Sequence, residues 1–171
     1  MRSTAVIVLA LLFSGCALKT PFSATVTADG KYWVVKEPLI YEQPKTKQTI
    51  EVPRGFVTDL ASVPRLFWTA FPPCGQYTPA AVVHDYIYWY QPSNCDQTCA
   101  DDLLLLAMEE SGVSLASRTA IYAGVRTGGK SSWEENKRLR AAGIIRFVPE
   151  EYMNFGPYDS WADIEARIKS K

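Results

Sequence analysis

Histidine is all but missing from this chain, with one in 171 residues, at position 84. That excludes centres built on several histidines, including the HD-type phosphohydrolase site and the usual zinc site. Net charge is missing as well. Lysine plus arginine and aspartate plus glutamate each number 18, and no basic run occurs, so the electrostatic footprint of a nucleic-acid binder is absent. There is no internal repeat and no low-complexity stretch. Cysteine is sparse, with four residues at positions 16, 74, 95 and 99.

What is present begins with a leader. Met1-Arg2-Ser3-Thr4 is a short positive segment, and Ala5 to Phe13 is an apolar core too short to span a bilayer, the pattern of a secretory signal. Leu12-Phe13-Ser14-Gly15-Cys16 resembles the processing site of bacterial lipoproteins. The resemblance implies that Cys16 is acylated and becomes the new N-terminus, a membrane-lipid anchor. Ala17, in place of Asp, implies the outer membrane, facing the periplasm. An ordinary signal peptide with an incidental cysteine is the plainer alternative. Residues 1–15 are then the signal, 16–23 a tether and 24–171 a single globular domain, a size that supports a real core. In an oxidising periplasm the other cysteines are expected to give one disulfide and one thiol, with Cys74 joined to Cys95 or Cys99. Three buried thiols are the alternative.

The pattern predicts an α+β fold: a small N-terminal antiparallel sheet packed on a mainly helical C-terminal part with a central antiparallel helix pair. Ala24-Thr25-Val26-Thr27 and Tyr32-Trp33-Val34-Val35 flank Asp29-Gly30, a strong hairpin signal. Leu39-Ile40-Tyr41 and Thr49-Ile50-Glu51-Val52 flank a polar turn. Ser62 and Pro64 open a short helix. Thr78, as cap before Pro79, launches the next, which ends near Gln91-Pro92. Ser93 with Asp96 predicts a capping box for a buried helix over 95–111. Ser114 starts a further helix, which Gly128-Gly129 breaks before a charged helix over 133–142. Ile144 to Val148 reads as extended. Asp159 to Lys169 is a terminal helix with Trp161, Ile164 and Ile168 as its stripe.

The chemistry concentrates in Val83-His84-Asp85-Tyr86-Ile87-Tyr88. Two ionisable groups inside an apolar, aromatic segment are expensive to bury and need partners or a function. Four-residue spacing puts His84 and Tyr88 on one helical face and turns Asp85 by about 100°. A short connection brings Asp101 of the following helix to His84. A carboxylate that orients a histidine fixes its tautomer and stabilises the imidazolium formed when the other nitrogen acts as a base. The plainer alternative is a core histidine bonded to Asp101 only to fix the helix pair. Asp59 is at home in the turn Thr58-Asp59-Leu60-Ala61. Asp102 reads as solvated, Ser62 as a cap, and Trp68, Tyr86, Trp89 and Tyr90 as core or as a lipid-binding rim.

His84-Asp85-x-x-Tyr88, followed by an antiparallel helix bearing Asp101, resembles the paired helices of phospholipase A2. The resemblance implies His84 as general base, Tyr88 and Asp101 as its supports, and Asp85 as a calcium ligand; outside that resemblance, Asp59 is a further metal candidate. A second resemblance covers residues 51–133. Val52-Pro53-x-Gly55-Phe56-x-Thr58-Asp59-x-Ala61-Ser62-x-Pro64, then His84-Asp85-x-x-Tyr88 and Ala100-Asp101, is similar to the domain of unknown function family 1353, found largely in phages and prophages. The expectation is a phage-type envelope lipoprotein that hydrolyses envelope phospholipids. The alternatives are a non-catalytic lipoprotein that binds an envelope protein, as in superinfection exclusion, or a structural phage-related component.

Overall fold

The computed structural model describes residues 18–60 and 75–170. Within these, five short strands precede four α-helices. Strands β1 (Ala24–Val26), β2 (Trp33–Val35) and β5 (Val57–Thr58) form an antiparallel sheet in the order β1-β2-β5. Strands β3 (Leu39–Glu42) and β4 (Thr49–Val52) form a separate two-stranded sheet, which Leu18 extends by an isolated bridge to Tyr41. The single expected sheet is therefore two. β2 has β1 on one edge and β5 on the other, which leaves no edge for β3. The Asp29-Gly30 turn forms as expected: Gly30 takes φ 65° and the Asp29 carboxylate accepts from the Thr27 hydroxyl and the Lys31 N–H.

Helices α1 (Thr78–Tyr90), α2 (Gln97–Glu110), α3 (Leu115–Ala141) and α4 (Trp161–Lys169) follow, with a 3-10 turn at Glu150–Tyr152 before the last. Local chemistry sets their ends, with corrections to the expected caps. Thr78 lies inside α1, because its hydroxyl accepts from the Gly75 N–H at 2.7 Å rather than capping forward. Asp96, not Ser93, caps α2 by accepting from the Cys99 N–H at 2.9 Å. Ser114 caps α3 as expected. Ser160 and Asp163 form a capping box, so α4 starts two residues later than Asp159.

The largest correction concerns α3, which runs unbroken through Gly128 and Gly129 for 27 residues. The expected break and separate charged helix are one element. Each glycine costs a helix about 1 kcal/mol, and packing against α1 and α2 outweighs that cost.

Two cores share the three-stranded sheet. Val35 and Phe56 face a cluster with Leu39, Tyr41 and Val52 and with Val83, Ile87, Leu104 and Met108 of α1 and α2. Their neighbours Val34 and Val57 point the other way, to Val148, Met153, Trp161 and Ile164. This is the alternation of a strand buried on both faces. The extended segment expected at 144–148 pairs beside β5, where Val57 N–H donates to Arg146 O and Val148 N–H to Gly55 O. Gly55, at φ 89°, has no room for a β-carbon against the Val148 carbonyl. The pairing fixes Arg146 next to Asp59.

Cys95 and Cys99 form a disulfide, with Cα atoms 5.3 Å apart. This corrects the expected pairing of Cys74 with one of them. Position 95 precedes the cap and position 99 falls in the first turn of α2, so one helical turn brings the two together. Cys74 lies outside the described residues, as do Cys16, the leader and the helix expected from Ser62. No helix among the described residues is long and apolar enough to cross a membrane.

Candidate functional site

The six-residue connection between α1 and α2 turns the second helix back along the first and brings Asp101 to His84. His84 Nε2 lies 2.9 Å from Asp101 Oδ1, and the Tyr88 hydroxyl donates to the same oxygen at 2.6 Å. His84 is 3 % exposed and Asp101 fully buried. The other carboxylate oxygen accepts from Arg126 Nη1 at 3.0 Å and from Gln97 Nε2 at 3.4 Å. Four donors from three helices thus close around one buried carboxylate, which meets the requirement that a buried charge be paired and hydrogen-bonded. The His84–Asp101 contact is the one expected from the helix spacing. Arg126 and Gln97 were not foreseen.

The protonation states follow from these contacts. An ionised carboxylate only accepts, so with Asp101 ionised the His84 proton sits on Nε2 and the neutral ring keeps its lone pair on Nδ1. Nδ1 is 3.9 Å from Asp85 Oδ1, too far for a direct hydrogen bond. Burial alone would lower the His84 pKa, but the Asp101 hydrogen bond and the charge of Asp85 outweigh it and hold the pKa above 6.5. Burial likewise pushes the Asp101 carboxyl up, and the bonds from His84, Tyr88 and Arg126 bring it below its ordinary value. The Tyr88 hydroxyl is raised by burial and by its bond to Asp101, so it stays a donor.

His84 lines a cavity of about 390 Å³. Asp59, Asp85, Tyr88 and Trp89 share its wall, so the expected site residues Asp59, His84, Asp85 and Tyr88 do come together, with Asp101 behind them. Sequence reasoning missed the opposite wall, which α3 supplies with Gly124, Gly128 and Gly129 and the polar residues Ser132, Glu135 and Asn136. The four-residue spacing of Gly124, Gly128 and Ser132 was a signal of one helical face. Arg146 also lines the cavity. It donates to Asp59 Oδ2 at 3.4 Å, and its guanidinium lies 5.4 Å from the Trp89 ring centroid and 5.9 Å from that of Tyr32. Trp89 is buried and Tyr90 exposed. Asp102 is exposed but accepts from the Tyr122 hydroxyl at 2.7 Å.

The metal expectation meets a more specific geometry. Asp85 Oδ2 accepts from the Thr58 hydroxyl, and Asp59 pairs with Arg146. Among the described residues no three His, Cys, Asp or Glu side chains converge as a metal set. Calcium takes about six to eight oxygen ligands. Among the described residues Asp59 and Asp85 bring two carboxylates toward that set, one of them already beside a guanidinium.

The sequence model of one family, described as Protein of unknown function (DUF1353), matches residues 33–125, more than half of the chain. The chain belongs to that family. The DUF1353 segment runs from β2 to the middle of α3 and contains Asp59, His84, Asp85, Tyr88 and Asp101. It starts earlier and stops earlier than the resemblance over 51–133. Arg126 follows its last residue directly, and Ser132, Glu135, Asn136 and Arg146 lie beyond it. Comparison with curated proteins and with solved structures finds no significant match.

Proposed function

We propose that this DUF1353 protein is a hydrolase of the bacterial cell envelope, of phage or prophage type, acting on phospholipid esters and held at the membrane by lipid on Cys16. The observation that supports it is the 2.9 Å contact of His84 with buried Asp101, backed by Tyr88, on the wall of a cavity of about 390 Å³. In this reading Nδ1 of His84 takes a proton from water. The water oxygen bonds to the ester carbon, and Asp101 stabilises the imidazolium that forms. The acyl–oxygen bond then breaks and the proton passes to the departing alcohol, giving a fatty acid and a lysolipid. The division of roles parallels the phospholipase A2 resemblance, with water activation assigned to His84 and support to Tyr88 and Asp101.

The saturation of Asp101 supports a second reading. Four donors from three helices make a knot that would hold the bundle with no reaction at all, as in a non-catalytic envelope lipoprotein that binds a protein partner. Incubating the acylated protein with vesicles of defined headgroup separates the two. Release of fatty acid by the wild type, lost in Asp101→Asn, supports the hydrolase. No release from any lipid class, with or without calcium, favours the binding role. Mass spectrometry of the mature N-terminus tests the anchor: an acylated Cys16 is expected, and an unmodified N-terminus at another residue contradicts it.

A further inference from the structure

We infer that the turn between β3 and β4, with Lys19 beside it, is the surface by which this domain sits on an anionic phospholipid bilayer. The route of the chain points there. Leu18 forms an antiparallel bridge with Tyr41, and Lys19 N–H donates to Ile40 O at 2.9 Å. The Thr20 hydroxyl accepts from Ile40 N–H and donates to Pro38 O, both at 2.9 Å. Leu18 also packs on the larger core. Because the pairing is antiparallel, the chain read from Thr20 back to Leu18 runs along β3 toward the turn at 43–48. Cys16 stands two residues before Leu18, and two residues span at most about 7 Å. That is about the depth of one headgroup layer, roughly 5–7 Å. A domain held by lipid on Cys16 thus has too little free chain to stand away from the headgroups.

The charges at this end complement such a surface. Lys45 and Lys47 are exposed in the turn, and Lys19 is exposed beside it. Glu42 is the acid among them, 3.6 Å from Lys19 and 3.4 Å from Lys47. Three lysines less one glutamate leave the tip with a charge of +2. Glu51 lies farther from the turn, opposite Ile40. Backbone bonds close the turn, from Gln43 N–H to Gln48 O and from Lys47 N–H to Gln43 O, both at 2.9 Å, so the ammonium groups are held together at one tip. The whole chain carries no net charge, and attraction to an anionic leaflet therefore needs a local excess of this kind. Such attraction acts within about 8 Å of the headgroups at physiological salt, a range that the short link to Cys16 meets. The inference rests on the lipid-anchor reading of Cys16 and adds to it the face that meets the membrane.

Amine acetylation of the mature protein on vesicles, read by mass spectrometry, tests the inference without reference to turnover. On vesicles containing phosphatidylglycerol, Lys19, Lys45 and Lys47 should react roughly threefold or more slowly than in detergent micelles. Lys130 and Lys137, exposed on α3, should react equally in both. Protection on phosphatidylcholine alone should be smaller. Lys45→Gln with Lys47→Gln should bring Lys19 to equal rates on the two lipids, since Lys19 and Glu42 then cancel. Equal protection of the wild type on anionic and neutral vesicles overturns the headgroup contact, and protection of Lys130 and Lys137 in place of the three overturns the choice of face. Should Cys16 prove to carry no lipid, the anchor reading falls and sedimentation of the same protein with anionic vesicles decides the inference. Pelleting that the double variant weakens roughly tenfold or more sustains it, and no pelleting overturns it.

Discussion

Gly129 on α3 lies directly beneath the hydroxyl of Tyr88, so close that a β-carbon there would collide with that oxygen and with the Gln97 amide. The close approach lets Tyr88 reach Asp101 between two helices. Gly129→Ala should therefore destabilise by about 1–3 kcal/mol through overpacking. Gly128 meets nothing within 4 Å, so Gly128→Ala should stabilise by about 1 kcal/mol through helix propensity alone. Urea unfolding of both variants checks the opposite signs.

Tyr88→Phe removes one of the two donors on Asp101 Oδ1 while keeping the ring against Trp133, whose centroid is 5.1 Å away. A hydrogen bond to a charged group contributes about 1.5–3 kcal/mol, and a loss in that range is expected in chemical unfolding. The Asp101 pKa should rise with the loss, so acid unfolding of the variant should begin at higher pH than in the wild type.

The two halves of the pair respond to pH in opposite directions. Asp101 is depressed below 3.8, so its contribution is present above that value and is lost as pH falls through the folded pKa. His84 is raised above 6.5, so its contribution is complete below 6.5 and is lost as pH rises through the folded pKa. Unfolding midpoints followed across pH should fall on both sides of a plateau. His84→Gln should remove the alkaline fall and move the acid fall upward, since the histidine is one of the groups that depress Asp101.

Much of the fold and half of the site were legible because they depend on local chemistry. Asp29-Gly30 specifies its hairpin within four residues, and Ser114 specifies a helix start. The meeting of His84 and Asp101 follows from helical period and a short connection. What was not legible rests on contacts distant in sequence. The two-residue β5 is defined only by pairing with β2 and by the segment at 144–148. Arg146 reaches Asp59 from 87 positions away. Gly128-Gly129 has the composition of a break and the role of a packing surface, because the neighbour that demands a glycine is Tyr88 on another helix. Spacing alone also could not choose a partner for Cys95.

The Cys95–Cys99 bond closes a short loop at the start of the helix that carries Thr98 and Asp101. Chain-entropy reasoning gives such a loop about 2 kcal/mol. Replacing both cysteines with serine should lower stability by that amount. Reductant should lower the wild type similarly and leave the double variant unchanged, as read by thermal unfolding with and without dithiothreitol.

The central claim is that His84 acts as a base rather than only as a tie between helices. Phospholipid hydrolysis by wild type and His84→Gln, measured beside thermal unfolding, tests it most directly. The account predicts fatty-acid release by the wild type and a fall of roughly 10²–10⁴ in rate for the variant, with the fold retained. Undetectable release by the wild type across lipid classes, with His84→Gln simply less stable, would contradict it.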